Sequence, residues 1–268
     1  MNVIDIQNAS VIFEKREILR DISWRVEAGA RYFILGANGA GKTTLVRMLL
    51  GYLWPRYGAK ISVLGETYGN VNLQELRKRI AWVSPFVHQW TQNPKLTGEE
   101  LVVSGLDSSI GMFRDITSEE HARAQALLEL LHAGYLMTLK VRTMSSGEQV
   151  KVLIARALIS NPELMILDEP NVFLDIRGRE FLLGTIRDLA ESRPDLTILF
   201  ITQRTEDILP IFTHGMILKQ GQILADGLRE DVLTEENLCR AYDMNLRLIP
   251  TDAGRMYLIP TSAPKVDI

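Results

Sequence analysis

"RYFILGANGAGKTTLVRMLL", residues 31–50, is the stretch on which the fold turns. Its first five residues form an apolar run suited to a buried strand, and its last seven carry apolar residues at helical spacing. Between them "GANGAGKTT", residues 36–44, matches G-x-x-x-x-G-K-[ST] in full. Glycines in such a loop let the backbone curl until successive N–H groups point at phosphate oxygens. The following helix adds the partial positive charge of its N-terminus. On this reading Gly36, Asn38, Gly39, Ala40, Gly41, Lys42, Thr43 and Thr44 form a triphosphate site. Lys42 reaches the β- and γ-phosphates, and the Thr43 hydroxyl ligates Mg2+. A glycine-rich turn without a ligand is the plainer alternative; the strand before it and the helix after it favour the nucleotide.

Further along, "LMILDEP", residues 164–170, runs four apolar residues into Asp168 and Glu169. A carboxylate leaving a buried strand suits the metal, and the next one suits a general base that polarises water. Alone, this is also how an ordinary strand ends on acidic turn residues. Beside the phosphate loop, Asp168 becomes the metal residue and Glu169 the base. Strand-like "LTILFITQ" follows, with the helical stretch "RGREFLLGTIRDLAESR" between the two. Strand–helix–strand alternation with fully apolar strands predicts an α/β chain with a parallel sheet. The first third is different: "DISWRV" alternates apolar and polar residues as a half-covered antiparallel strand does. "GMILKQGQILADG" predicts a hairpin turning at Gln220-Gly221, and the last stretch predicts a small hairpin around Asp252–Gly254. Residues 85 to about 118 are loop-rich, and a helix starts at Ser118.

Composition narrows the function. The 268 residues carry 30 basic and 33 acidic side chains, a net charge of −3, which supplies no broad electrostatic attraction to nucleic acid. Cys239 is the only cysteine, so no internal disulfide is possible, in agreement with a reducing cytoplasm. No apolar run approaches the ~20 residues of a membrane span, and "MNVIDIQNAS" lacks the basic-then-apolar pattern of a secretion signal. The four histidines are scattered without ligand spacing.

"MSSGEQVKVLIARAL", residues 144–158, reads first as a capped core helix. Ser145 and Glu148 make a capping box, and Val150, Leu153, Ile154, Ala157 and Leu158 share one face. With "GANGAGKTT" upstream and "LMILDEP" downstream, however, "SSGEQ" resembles the signature motif of the ATP-binding-cassette (ABC) ATPases, over roughly residues 3 to 240. The resemblance implies a P-loop NTPase with a RecA-like core, an antiparallel β subdomain and an inserted α-helical subdomain. It would span residues 1–245, with the insertion at 85–160, and leave a C-terminal extension at 246–268. It further implies that two cassettes, as homodimer or heterodimer, sandwich ATP and Mg2+. Each nucleotide then lies between the phosphate loop of one subunit and Ser145, Ser146, Gly147 and Glu148 of the other. By the same resemblance Phe13 stacks on adenine, although a core aromatic fits the pattern nearly as well. Gln89 or His88 in "VSPFVHQW" answers to the glutamine in the loop that joins core to insertion, with Gln89 a further metal residue beside Thr43 and Asp168. "PNVFLD" ends in the family's Leu-Asp at Leu174 and Asp175, with Phe173 where a small residue is usual.

The main departure is "ITQRTEDI": Gln203 stands where the family has a histidine that contacts the γ-phosphate. A glutamine keeps an N–H donor and a carbonyl acceptor but never becomes a cation. The expectation is normal ATP binding with slow hydrolysis. The resemblance points to the ATPase subunit of a membrane transporter, working with a separate transmembrane permease at the inner face of the membrane. A soluble cassette with a non-transport role and an ATP-dependent switch that seldom hydrolyses stay open beside it.

Overall fold

The computed structural model describes residues 2–84, 96–107, 112 and 114–261. It comprises two compact units, Met1–Leu73 with Thr197–Ile268, and Gln74–Leu196. In the first unit, β1 (Asn2–Phe13) and β2 (Arg16–Glu27) form a long antiparallel hairpin. Glu14 and Lys15 both take positive φ in its two-residue turn, the backbone that matches the twist of a hairpin. β2 buries alternate residues Ile22, Trp24 and Val26, as its sequence alternation requires. After β3 (Arg31–Leu35) and α1 (Lys42–Leu49), β4 (Lys60–Val63) pairs with β1 and β5 (Glu66–Thr67) with β4, completing an antiparallel sheet.

The second unit opens after the start of α2 (Leu73–Lys78) and pairs β6 (Ile80–Val83) in parallel with β7 (Leu164–Asp168). Between these strands lie α3 (Gly98–Val103), α4 (Ser118–Leu130) and α5 (Ser146–Leu158); both α3 and α4 pack on α5. The loop-rich reading of residues 85–118 missed α3, a six-residue helix held by the Thr97–Glu100 capping box. The start expected at Ser118 moves by one residue. Thr117 is the cap, its Oγ1 accepting from the Glu120 amide while the Glu120 carboxylate accepts from the Thr117 amide. α6 (Ile176–Ser192) follows β7 and is capped by Asp175, whose Oδ1 accepts from the Gly178 amide at 2.7 Å.

The chain then returns to the first unit. β8 (Thr197–Thr202) and β9 (His214–Lys219) flank β3 in parallel, and β10 (Gln222–Leu228) pairs antiparallel with β9. The Gln220-Gly221 turn is as expected, both residues at positive φ. Phe33, Ile34, Ile198, Leu199, Phe200, Ile201, Met216 and Ile217 are all fully buried, which is why these strands are apolar on both faces. Phe200 stacks on Phe212 at 5.2 Å. Burial of each such side chain stabilises by about 1.5–3 kcal/mol, and together they fix where β3 and β8 end. α7 (Arg229–Val232), α8 (Glu235–Tyr242) and the hairpin β11 (Leu246–Pro250) with β12 (Met256–Pro260) close the unit. No helix among the described residues is long and apolar enough to cross a membrane.

Candidate functional site

The phosphate loop begins where β3 stops. Gly36 has no room for a side chain: a Cβ there would lie 2.5 Å from the Leu218 carbonyl oxygen on β9. Gly41 takes φ 106° at the cap of α1, in the left-handed region that disfavours other residues. No side chain caps α1, so its first amides are served by the loop or by a ligand. The β9–β10 turn braces the curl, with the Gly221 amide donating to the Ala40 carbonyl at 2.9 Å. Lys42 is buried inside it, Nζ donating to the Gly36 and Ala37 carbonyls at 2.7 and 3.0 Å. Asn38 and Gly39 form the exposed tip, and Thr43 and Thr44 are half-buried in the first helical turn.

Gln203 is brought to the same place by register. Leu35, the last residue of β3, pairs with Thr202, the last of β8. Gly36 and Gln203 therefore leave the sheet side by side on strands about 4.8 Å apart, at the carboxyl end where α/β sheets receive ligands. Gln203 is half-buried, and its carbonyl accepts from the Tyr242 hydroxyl at 3.0 Å. Phe13 ends β1 and is about half exposed, which removes the core-aromatic alternative and leaves its ring face accessible.

The second unit supplies the other candidates. Asp168, the last residue of β7, is buried. Glu169 follows at φ 51°, a strained setting for a side chain that costs about 1–2 kcal/mol. Beyond it Val172, Phe173 and Ile176 are exposed. At the start of α5 the capping box is formed in full: the Ser145 amide and hydroxyl both donate to Glu148 Oε2 at 2.8 Å, and the Glu148 amide donates to Ser145 Oγ. Tyr135 donates to Glu148 Oε1 at 2.9 Å. These bonds, the Ser145 amide first, hold the Glu148 carboxyl below its usual range. Ser146 lines a small cleft with Ser84, Pro170, Phe173 and Leu174, so the "SSGEQ" turn and the loop after Glu169 meet. Gly147 is uncrowded: a Cβ there would find nothing nearer than Gly178 Cα at 3.9 Å. Gln89 and His88 lie outside the described residues.

Comparison with known proteins decides the family. Residues 19–172 match the model of the ABC transporter family. The chain belongs to that family. It is 37% identical to the uncharacterised ABC transporter ATP-binding protein YlmA of Bacillus subtilis, over 92% of this chain and 93% of that one. It is 35% identical to the similarly described YmeB of Lactococcus lactis, over 90% and 93%. Among solved structures it superposes on MJ1267, an ATP-binding cassette of an ABC transporter in its ADP conformation. The TM-score is 0.78 at 22% identity, covering 91% of this chain and 98% of that one, which attests the fold.

As an ABC family member the chain has the P-loop NTPase fold and is an ATP-binding, ATP-hydrolysing subunit that energises a transporter. Two partners of the candidate residues were not legible in the ABC motifs. Tyr242 reaches Gln203 from 39 residues downstream, and Tyr135 reaches Glu148 from outside the signature. Neither Tyr242 at the end of α8 nor Tyr135 in a 3₁₀ turn carries a sequence signal for its role.

Proposed function

We propose that the chain works as one half of an ATP sandwich and hydrolyses slowly. The cassette runs over residues 1–245, with residues 85–160 as the helical insertion and 246–268 as an extension. One copy's loop at Gly36–Thr44 holds the triphosphate through backbone amides and Lys42. Ser145 and Gly147 of a second cassette close on the γ-phosphate. The uncrowded Gly147 supports this, since no described residue comes within 3.9 Å of a Cβ built there. The exposed Val172, Phe173 and Ile176 around the same cleft suit burial against that second cassette.

The Thr43 hydroxyl and the buried Asp168 carboxylate are hard oxygen donors that fit Mg2+ and would hold it. When bound, the ion would neutralise charge on the phosphate oxygens. Glu169 accepts a proton from the attacking water, and Gln203 orients that water through its amide. A separate membrane permease, docked from the cytoplasmic side, receives the motion of the closing cassettes.

The observation that supports the slow-hydrolysis reading is the register pairing of Leu35 with Thr202, from which the backbones of Gly36 and Gln203 leave adjacent strands. A preorganised donor at a developing anion is worth about 10²–10³ in rate; because Gln203 retains one, the deficit against histidine is smaller, about tenfold. Gln203→His therefore raises turnover several-fold, with ATP affinity altered less than about twofold. Unchanged or lower turnover in an otherwise active protein contradicts the reading.

A further inference from the structure

The segment after Gln203 is tied down from three directions. Thr202 Oγ1 accepts from the Arg204 amide at 3.0 Å and donates to Asp207 Oδ2 at 3.2 Å; Thr202, Thr205 and Asp207 are all buried. Residues Thr205–Asp207 form a single 3₁₀ turn on which β12 packs. The third tie is the Tyr242 hydroxyl on the Gln203 carbonyl.

Tyr242 is itself anchored. It is the last residue of α8, and Lys219, at the end of β9, donates to the Arg240 carbonyl and to the Asp243 carboxylate there, the latter at 2.5 Å. Lys219 directly follows Leu218, the residue whose carbonyl crowds Gly36. The hairpin is fastened at both ends. The Leu248 amide donates to Glu235 Oε1 at 2.9 Å and Arg229 donates to the Gly254 carbonyl at 2.6 Å. Gly254 also lies against Pro210, a few residues past the 3₁₀ turn. Burial, then the neighbouring Glu206 charge, pushes the Tyr242 hydroxyl up to about 12, so it remains a donor throughout the neutral range.

We infer that α8 and the β11–β12 hairpin are a brace for the switch segment, with Tyr242 as a positioning residue that sets the backbone at Gln203. The inference rests on the reading of Gln203 given above. Fixing the carbonyl of residue 203 fixes the peptide plane that follows it and narrows the directions in which its amide side chain points. Without the hydroxyl, β8 still ends at Thr202, but the first residue beyond it loses a tie to an element 39 residues away. Substrate binding at Lys42 and the loop is untouched, so the effect falls on the chemical step.

The test uses the full-length chain. Tyr242→Phe lowers kcat about three- to tenfold, the worth of one hydrogen bond, while KM, ATP affinity and Tm stay close to wild type. In nucleotide-free protein the amides of residues 203–207 exchange faster with deuterium in Tyr242→Phe, and those of β3 do not change. In a Gln203→Ala background Tyr242→Phe gives no further loss of kcat, because the positioned group is already gone. Wild-type kcat and exchange in Tyr242→Phe, or an equal fold-loss in both backgrounds, overturns the brace. Gln203→Ala with impaired turnover beside an unimpaired Tyr242→Phe removes the brace alone. Gln203→Ala with wild-type turnover removes the reading of Gln203 and the brace with it.

Discussion

Two glycines, one at the end of β3 and one at the start of α5, answer to different demands. Gly36, before α1, is required by its own chain, since any Cβ would press to 2.5 Å on the Leu218 carbonyl. Gly147, in the first turn of α5, is crowded by no described residue, the nearest atom to a Cβ being Gly178 Cα at 3.9 Å, and has ordinary helical backbone. The phosphate loop is thus complete in itself: its curl, its buried lysine and its bracing turn are all supplied internally. The signature turn is stabilised internally by its capping box, and on the proposed reading its open glycine admits a γ-phosphate held by a second cassette. On that reading the difference teaches that nucleotide capture and nucleotide closure are separable.

The largest effect that can break this comparison comes from substituting the two glycines in parallel. Gly36→Ala forces the loop away from β9, a strain of about 1–3 kcal/mol, and removes the cradle; it weakens ATP binding about 100-fold or more and lowers Tm. Gly147→Ala leaves Tm unchanged or slightly raised, since alanine favours a helix over glycine by up to about 1 kcal/mol. It leaves ATP affinity of the single chain intact but cuts turnover about 10²-fold by blocking closure on the γ-phosphate. Calorimetric titration with ATP, a thermal melt and a phosphate-release assay on both variants check this. Equal losses of ATP affinity in the two variants would merge the half-sites that the account keeps apart.

A smaller effect sharpens the internal part of the signature turn. The Glu148 carboxyl is held below its ordinary 4.5 by the Ser145 amide, the Ser145 hydroxyl and Tyr135. A depressed folded pKa means that the stabilising contribution is complete above the ordinary value and is lost as pH falls through the lowered one. The gap in Tm between wild type and Glu148→Gln is therefore open at pH 7 and closes on acidification below about 4.5. A gap that stays constant across that range contradicts the capping role assigned to the charge.

What could be read beforehand follows the same division. The strand, loop and helix around Gly36 are local, each announced by its own periodicity or glycine spacing, and they fold as expected. The Ser145–Glu148 box was equally visible, because capping acts over three residues. Phe13 was ambiguous because alternation along a strand does not say which face is covered; its exposure settled that. α3 escaped because six residues are too few for a helical period to show. The setting of Gln203 needed a strand register, and Tyr242 needed a contact 39 residues away. Neither is encoded in a neighbouring pattern.

The central claim is that the triphosphate is closed upon by a second cassette. Light scattering on the Glu169→Gln chain, which retains the cradle but lacks the base, tests it most directly. Without nucleotide the account predicts the mass of one 30.3 kDa chain, and with saturating Mg-ATP twice that mass, reverting when Gly147→Ala is added. A 30.3 kDa species that is saturated with ATP and never pairs would contradict it.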